Sequence, residues 1–173
     1  MNNSLSVVII SKNEEEFIEE AIKSAKFADE VLLLDSGSTD NTCNIAKKLG
    51  ARVEHQSWQG FGPQKNIAVN LATNDWIFVL DADERIPSEL CLEIINILKK
   101  PFFDGYFVGR LNNFFGKDIK TCGLYPDYSL RLFNRNKGKF NDAPVHEIVE
   151  MNGKSAKLKN HMIHLAYNNV EEF

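Results

Sequence analysis

Apolar residues in the first hundred positions form short runs that alternate with helical stripes. Runs of four or five apolar, often branched residues are typical of strands buried on both faces of a sheet. Apolar residues three or four positions apart are typical of helices that bury one face. The predicted strands are Val7–Ile10, Val31–Leu34, Ala51–Glu54 and Trp76–Leu80. The predicted helices are Glu14–Phe27, a helix that carries Ile45, Ala46 and Leu49 and stops at Gly50, Lys65–Ala72, and a helix that begins at Pro87. Four βα units in succession predict a parallel sheet covered on both faces.

The pattern changes after residue 101, where strand-like segments follow one another without helices between them. The predicted strands are Tyr106–Leu111, Tyr128–Phe133, His146–Glu150 and Lys157–Leu165. Asn152-Gly153 lies between the last two, and this pair of residues favours a tight β-hairpin. The fold class is therefore predicted to be α/β, with a single domain over residues 1–173 in which a βα half (1–100) precedes a β-rich half (101–173).

Two carboxylates follow the fourth predicted strand directly. Asp81 and Asp83 are two positions apart, and side chains at this spacing in an extended chain point to the same side. Open α/β sheets bind their ligands at the carboxyl ends of the strands. Because paired carboxylates repel each other unless a positive charge lies between them, the pattern favours a site for Mg²⁺ or Mn²⁺, which prefer oxygen ligands. The alternative is a strand that ends in an acidic, solvated turn.

The polar segment after the second predicted strand is a second candidate site. Asp35 stands at the strand end and could accept hydrogen bonds from a ribose or a base. Gly37 would let a ligand approach the backbone closely, and Ser38, Thr39 or Asp40 can cap the following helix. A plain capped βα turn explains everything in this segment except Asp35. The glycine patterns of dinucleotide-binding and P-loop proteins are missing from the sequence, so neither class is favoured.

Composition narrows the class of protein further. The chain has 173 residues, 43% of them hydrophobic and 25% charged, as in ordinary globular proteins. A net charge of −4 gives no reason to expect a nucleic-acid partner. The three cysteines are far apart and show no metal-type pair, so a reducing compartment is expected. Since no signal peptide or spanning segment is visible, we expect a cytoplasmic protein that at most contacts the inner face of the cell membrane.

Three segments together resemble glycosyltransferase family 2. They are residues 6–14 (Ser-Val-Val-Ile-Ile-Ser-Lys-Asn-Glu), residues 31–40 (Val-Leu-Leu-Leu-Asp-Ser-Gly-Ser-Thr-Asp) and residues 80–84 (Leu-Asp-Ala-Asp-Glu), in the order and spacing of that family. Residues 126–133 and 145–147 are similar to the branch that includes bacterial lipopolysaccharide core β-glucosyltransferases. Ser36 departs from the pattern, because many relatives have a second Asp at this position.

The resemblance implies both a fold and an activity. The fold would be GT-A, with a mostly parallel central sheet and a β-rich acceptor half. The activity would be inverting transfer of a hexose, glucose in this branch, from a nucleoside-diphosphate sugar such as a UDP-sugar. The acceptor would be a glycan or glycolipid of lipopolysaccharide core or other cell-surface polysaccharide synthesis, and the cofactor Mg²⁺ or Mn²⁺.

The resemblance also implies roles for individual residues. Nucleotide-sugar binding is expected of Ser11, Asn13, Glu14, Asp35, Gly37, Ser38, Lys65, Asp81, Ala82 and Arg131. Metal binding is expected of Asp81, Asp83 and His164, with Asp83 as the direct ligand. Arg131 could pair with a phosphate through its forked donors. The alternatives are a surface position for Lys65 and Arg131 and a structural role for His164.

An inverting transfer needs a base within hydrogen-bond reach of the acceptor hydroxyl. A carboxylate of the β-rich half is the natural source, and we rank Glu147 first, Asp127 second and Asp142 third. His146 could orient Glu147 or contact the sugar. The alternatives are a carboxylate that faces water and a hydrogen-bonded structural histidine.

Two other functions fit parts of the sequence. A sugar nucleotidyltransferase shares a metal site at a strand end, but it would normally carry a glycine-rich loop after the first strand, and Ser11-Lys12-Asn13-Glu14 has no glycine. A sugar-nucleotide-binding module without transfer activity is the other alternative. Residues 167–173 resemble the start of a helix, so we expect the chain to be truncated, which would suit such a module.

Overall fold

The computed structural model describes residues 3–114, 117–119, 125–143 and 146–167. Its first half consists of four βα units, as the sequence predicts. The strands are β1 (Leu5–Ser11), β2 (Glu30–Asp35), β3 (Arg52–His55) and β4 (Trp76–Asp81), and the helices are α1 (Ile18–Ser24), α2 (Thr42–Lys48), α3 (Phe61–Leu71) and α4 (Ser88–Lys99). The four strands are parallel and lie in the order β3-β2-β1-β4, so their carboxyl ends meet at one edge of the sheet.

The parallel strands are buried on both faces, which explains their continuous apolar sequences. One face carries Ile9 and Phe78 and packs against α1, α2 and α4. The opposite face carries Val8 and Val79 and packs against α3. Each of these four side chains is at most 1% exposed. Burial of apolar surface on both sides stabilises this half and fixes where its polar strand ends lie.

The second half extends the same sheet with antiparallel and parallel strands. Its members are β5 (Glu84–Arg85), β6 (Gly105–Phe114), β7 (Lys117–Ile119), β8 (Asp127–Asn134) and β11 (Ser155–Tyr167). From β4 the order continues β8-β6-β11-β5, with β7 paired to β6. Strand β8 is antiparallel to both neighbours, whereas β11 is parallel to β6. Two further strands, β9 (Gly138–Phe140) and β10 (Val149–Met151), form a separate antiparallel pair.

The hairpin predicted at Asn152-Gly153 is wrong. Strand β10 pairs with β9, and β11 lies beside β6 instead of folding back on β10. The reason is burial, because Leu158 and Met162 of β11 belong to the core cluster that includes Ile94 of α4. A turn signal is local, whereas this pairing is set by distant apolar contacts.

Several predicted elements have different bounds in the structure; the helix predicted over Lys65–Ala72, for example, begins at Phe61. The predicted strand His146–Glu150 begins only at Val149, and His146 has a φ of 57°, which lies outside the β region. The helix predicted from Glu14 begins at Ile18, after Asn13 has also taken a φ of 57°. Val145 and residues 168–173, on which other expectations fell, lie outside the described residues. Among the described residues, no helix has both the length and the apolar character needed to cross a membrane.

Candidate active site

A cleft of about 1020 Å³ lies at the carboxyl ends of β1 and β4. Strands β8 and β11 and residues 146–149 form its other walls. The structure brings most of the predicted site residues to this cleft, namely Ser11, Glu14, Lys65, Asp81, Ala82, Asp83, Asp127, Arg131, His146, Glu147 and His164. Residues from both halves of the chain therefore face one space large enough for a nucleotide sugar.

Asp35 lies beside this cleft at the end of β2, with its side chain fully buried. The backbone N–H groups of Gly37 and Ser38 donate to Oδ2, each at 2.9 Å, and the Ser38 and Ser11 hydroxyls donate to Oδ1. Burial alone would raise the pKa of Asp35, but these hydrogen bonds hold it below its ordinary value. Gly37 has a φ of 100°, which favours glycine. The carboxylate is therefore ionised and rigidly placed.

Asn13 connects the loops that follow β1 and β2. Its backbone N–H donates to the Ser38 hydroxyl at 2.8 Å, and its side-chain oxygen accepts the Thr39 N–H at 2.8 Å. The two candidate nucleotide-binding loops are thus held as one unit.

Cys43 and His55 lie close to Asp35, a grouping that the sequence did not reveal. Within the described part of the chain, Asp35, Cys43 and His55 place possible ligand atoms within 4.8 Å of one another. The sequence shows no metal-type pair of cysteines, and this group contains only one cysteine, which comes close to Asp35 and His55 on folding. Burial and the adjacent Asp35 raise the pKa of the Cys43 thiol. Metal binding needs the thiolate, so the Cys43 thiol would have to lose its proton to act as a ligand.

Asp81 is held by two cations. Arg131, only 7% exposed, donates to Asp81 Oδ2 at 3.0 Å and to Glu84 Oε1 at 2.7 Å, while Lys65 Nζ lies 3.0 Å from Asp81 Oδ1. Burial would raise the pKa of Asp81, but Arg131 and Lys65 hold it well below its usual range. Burial raises the pKa of Glu84 despite the opposing charge of Arg131. The surface positions considered for Lys65 and Arg131 are therefore wrong.

Glu84 is the part of this network that sequence reasoning missed. Its other oxygen accepts the backbone N–H of Asp81 at 3.0 Å, and the residue is fully buried. The signal was present, since Glu84 follows the two aspartates directly, but an acidic turn residue is ordinarily exposed. The phosphate contact expected of Arg131 stays a prediction, because the guanidinium faces these carboxylates.

Asp83 faces His164 across the mouth of the cleft. His164 Nε2 lies 3.2 Å from Asp83 Oδ2, and His164 Nδ1 lies 2.8 Å from Asn112 Oδ1. The contact with Asn112 orients the imidazole ring so that Nε2 faces the Asp83 carboxylate. A ring nitrogen and a carboxylate oxygen at this separation can share a hydrogen bond or act together as ligands of a cation. This donor set fits a divalent metal ion.

The three candidate bases differ in their surroundings. Glu147 has a side chain only 13% exposed and pairs with Lys65 Nζ at 2.7 Å. Asp127 is 46% exposed and pairs with Arg110 at 2.6 Å. Asp142 is exposed and does not line the cleft. His146 is exposed, and the side chain that binds the Glu147 carboxylate is Lys65. The geometry thus favours Glu147 over the other two.

The raised pKa of Glu14 indicates an excess of negative charge at this edge of the sheet. Burial, and then the charges of Asp83, Asp40 and Asp81, raise the pKa of Glu14 from 4.5 to about 7. The folded protein therefore keeps this proton at a pH where the unfolded chain has released it. A cation bound beside Asp83 would relieve the same repulsion.

We expect Glu14→Gln to change how stability depends on pH. Because the folded-state pKa is raised, the contribution of Glu14 to the free energy of unfolding falls as pH rises from about 4.5 to about 7. Urea unfolding with EDTA between pH 5 and pH 8 should show a smaller loss with rising pH in Glu14→Gln than in wild type. The exposed Glu16→Gln is the matched control. A pH dependence unchanged by Glu14→Gln would contradict this account.

Known proteins resemble this chain in sequence and in fold. The lipopolysaccharide core biosynthesis glycosyltransferase LpsC of Rhizobium meliloti is 30% identical over 158 residues, which cover 86% of this chain and 58% of LpsC. The crystal structure of S. aureus TarS 1–349 in complex with UDP-GlcNAc superposes with a TM-score of 0.69 at 17% identity, covering 98% of this chain and 60% of that one.

A second solved structure is similar over a shorter stretch. The glucosyl-3-phosphoglycerate synthase of Mycobacterium tuberculosis, crystallised with Mn²⁺, UDP and glucosyl-3-phosphoglycerate, gives a TM-score of 0.52 at 27% identity. The match covers 64% of this chain and 44% of the synthase. These neighbours are GT-A glycosyltransferases, and the expected α/β fold of GT-A type is confirmed.

The family resemblance seen in the sequence is confirmed as well. The chain spans about half the length of the curated relatives it matches. The model of glycosyl transferase family 2 matches residues 6–148, which is most of the chain. The chain therefore belongs to glycosyl transferase family 2.

Proposed function

We propose that this chain is a metal-dependent, inverting hexosyltransferase that uses a UDP-sugar as donor. The observation that carries the proposal is the facing pair of Asp83 Oδ2 and His164 Nε2, 3.2 Å apart in the cleft at the end of β4. Residues 1–100 would bind the donor and residues 101–173 the acceptor, and Arg131, Glu147 and His164 of the second half reach the same cleft.

The nucleoside would lie between the loops after β1 and β2. Asp35 offers an ionised carboxylate there, and Ser11, Asn13, Gly37 and Ser38 hold it in place. A buried, ionised acceptor suits the hydroxyl or N–H groups of a ribose or a base. UDP is the favoured nucleotide because the related TarS and glucosyl-3-phosphoglycerate synthase structures contain UDP-GlcNAc and UDP.

Asp83 and His164 would hold the metal ion, with Asp81 beside them. Asn112 fixes the His164 ring so that Nε2 faces Asp83. A bound Mg²⁺ or Mn²⁺ would neutralise the charge that builds on the departing nucleoside diphosphate. Support for the choice of metal comes from the Mn²⁺ and Mg²⁺ complexes of the mycobacterial synthase.

Glu147 would take the proton of the acceptor hydroxyl. It lies on the wall formed by residues 146–149, which we call the acceptor wall because the acceptor would bind there. Lys65 Nζ lies within 3.0 Å of both Asp81, on the proposed donor side of the cleft, and Glu147. Lys65 thus links the two sides and can place positive charge near a diphosphate. Asp127, already paired with Arg110, is the second candidate.

The acceptor would be a glycan or glycolipid, and the sugar a hexose such as glucose. Similarity to LpsC supports a role in lipopolysaccharide core synthesis. Family membership favours sugar transfer over nucleotidyl transfer. The cytoplasmic location and the membrane contact expected from the sequence stay predictions.

Thermal unfolding with a panel of nucleoside diphosphates tests the proposed donor site. We expect UDP to raise Tm with Mn²⁺ and to do so less without it, whereas ADP and GDP should have little effect. A ligand at 100 times its Kd stabilises the native state by about 2.7 kcal/mol. Equal Tm shifts for every nucleotide, or a UDP-induced Tm shift that is the same with and without Mn²⁺, would contradict the proposal.

A further inference from the structure

The first turns of α3 contact the backbone of the segment that carries Glu147. At Gly62 the helix touches this segment so closely that an added methyl group would overlap the carbonyl oxygen of Asn141. One turn further on, Lys65 forms its ion pair with Glu147. Helix α3 therefore packs directly on the acceptor wall, and glycine at position 62 is what allows the approach.

Asn66 fastens this contact with two hydrogen bonds. Its Nδ2 donates to the carbonyl oxygen of Phe140 at 2.9 Å, and its Oδ1 accepts the N–H of Phe140 at 2.8 Å. Both backbone groups of Phe140, the last residue of β9, are thus bound by one side chain. The carboxamide suits this task because it carries a donor and an acceptor side by side.

The connection continues from Phe140 to Glu147 through Asn141. The backbone N–H of Asn141 donates to the carbonyl oxygen of Ile148 at 3.0 Å, and the N–H of Ile148 lies 3.2 Å from Asn141 Oδ1. These two bonds close the ends of the segment 141–148 on each other. Glu147 immediately precedes Ile148, so a shift of Phe140 and Asn141 would carry the carboxylate with it.

We propose that Asn66 is a positioning residue that holds Glu147 on the acceptor wall of the cleft. Asn66 acts through the backbone of Phe140 and Asn141, and Gly62 makes room for the contact. The assignment rests on the proposed role of Glu147 as base. A displacement of about 1 Å at a reacting group can cost roughly 100-fold in rate, so a residue that touches no substrate can still control turnover.

Asn66→Asp tests the assignment, because aspartate keeps the shape of the side chain but loses the donor to Phe140. Asn70→Asp makes the same chemical change one turn later on α3, where the side chain is exposed. In Asn66→Asp we expect faster amide hydrogen exchange at Asn141 and Ile148 and a kcat for UDP release at least about 10-fold lower. The assay would use UDP-glucose, Mn²⁺ and octyl glucoside as a model acceptor. The Kd for UDP should stay within about twofold of wild type, and Asn70→Asp should match wild type throughout.

A double variant separates positioning of Glu147 from a general structural effect. If Asn66 acts through Glu147, then adding Asn66→Asp to Glu147→Gln should cause little further loss of kcat. A full additional loss, unchanged exchange at Ile148, or wild-type kcat in Asn66→Asp would overturn the assignment. If Asn66→Asp does not fold, Asn66→Ser removes both hydrogen bonds to Phe140 without adding a charge and is judged by the same readouts. Wild-type turnover in Glu147→Gln would instead contradict the proposed base.

Discussion

Replacing Asp83 with asparagine is expected to lower the rate of the proposed hexose transfer at least about 100-fold while the protein stays folded. The substitution removes the negative charge that faces His164 Nε2 at 3.2 Å. A metal ion that stabilises the leaving diphosphate contributes several kcal/mol to the transition state, and about 1.4 kcal/mol corresponds to a factor of ten in rate. Because the Asp83 side chain is 39% exposed, the cost in folding stability should be small.

The measurement is UDP release from UDP-glucose over a range of Mn²⁺ concentrations, together with Tm. Asp75→Asn provides the matched control, since this carboxylate is 59% exposed and does not line the cleft. His164→Ala should resemble Asp83→Asn in its response to Mn²⁺. Wild-type turnover in Asp83→Asn, at the same Mn²⁺ concentration, would remove the metal-binding role from this residue.

Replacing Arg131 with methionine is expected to destabilise the fold by about 3–5 kcal/mol at pH 7. Removal of one partner of a buried ion pair leaves an uncompensated charge inside the protein. Here Glu84 would lose its cationic partner entirely and Asp81 would keep only Lys65. Since burial already raises the pKa of Glu84, this carboxylate takes up a proton as pH falls, and the destabilisation should shrink towards pH 5.

Urea unfolding of Arg131→Met at pH 5 and pH 7 measures this effect. Arg110→Met is the control, because the Arg110–Asp127 pair is partly exposed and such pairs contribute at most about 1 kcal/mol. The double variant Arg131→Met with Glu84→Gln should recover part of the loss at pH 7. Equal destabilisation by Arg131→Met and Arg110→Met would contradict the buried network.

The parallel half of the fold could be predicted because its strands have a strong and local signal. Val7–Ile10 and Trp76–Leu80 are apolar without interruption, as burial on both faces demands. Strands of two or three residues, such as Glu84–Arg85 and Gly138–Phe140, are too short to show any periodicity. The pairing of β11 could not be predicted from local sequence patterns either, because it depends on Leu158 and Met162 packing against α4.

The site can likewise be divided into residues with a local sequence signal and residues whose contacts are distant in sequence. Asp35, Asp81 and Asp83 could be named as candidate site residues because each lies at or just after the end of a buried parallel strand. The ion-pair partners of Arg131 and Lys65 could not be predicted. Arg131 binds Glu84, which is 47 positions away, and Lys65 binds Glu147, which is 82 positions away. The double hydrogen bond from Asn66 to Phe140 spans 74 positions and carries no local signal at all.

Anomalous diffraction from crystals soaked with Mn²⁺ and UDP tests the central claim most directly. The account predicts one manganese peak between Asp83 and His164, in contact with the diphosphate of UDP bound beside Asp35. A diphosphate bound without manganese at that position, or a peak only at Asp35, Cys43 and His55, would contradict it.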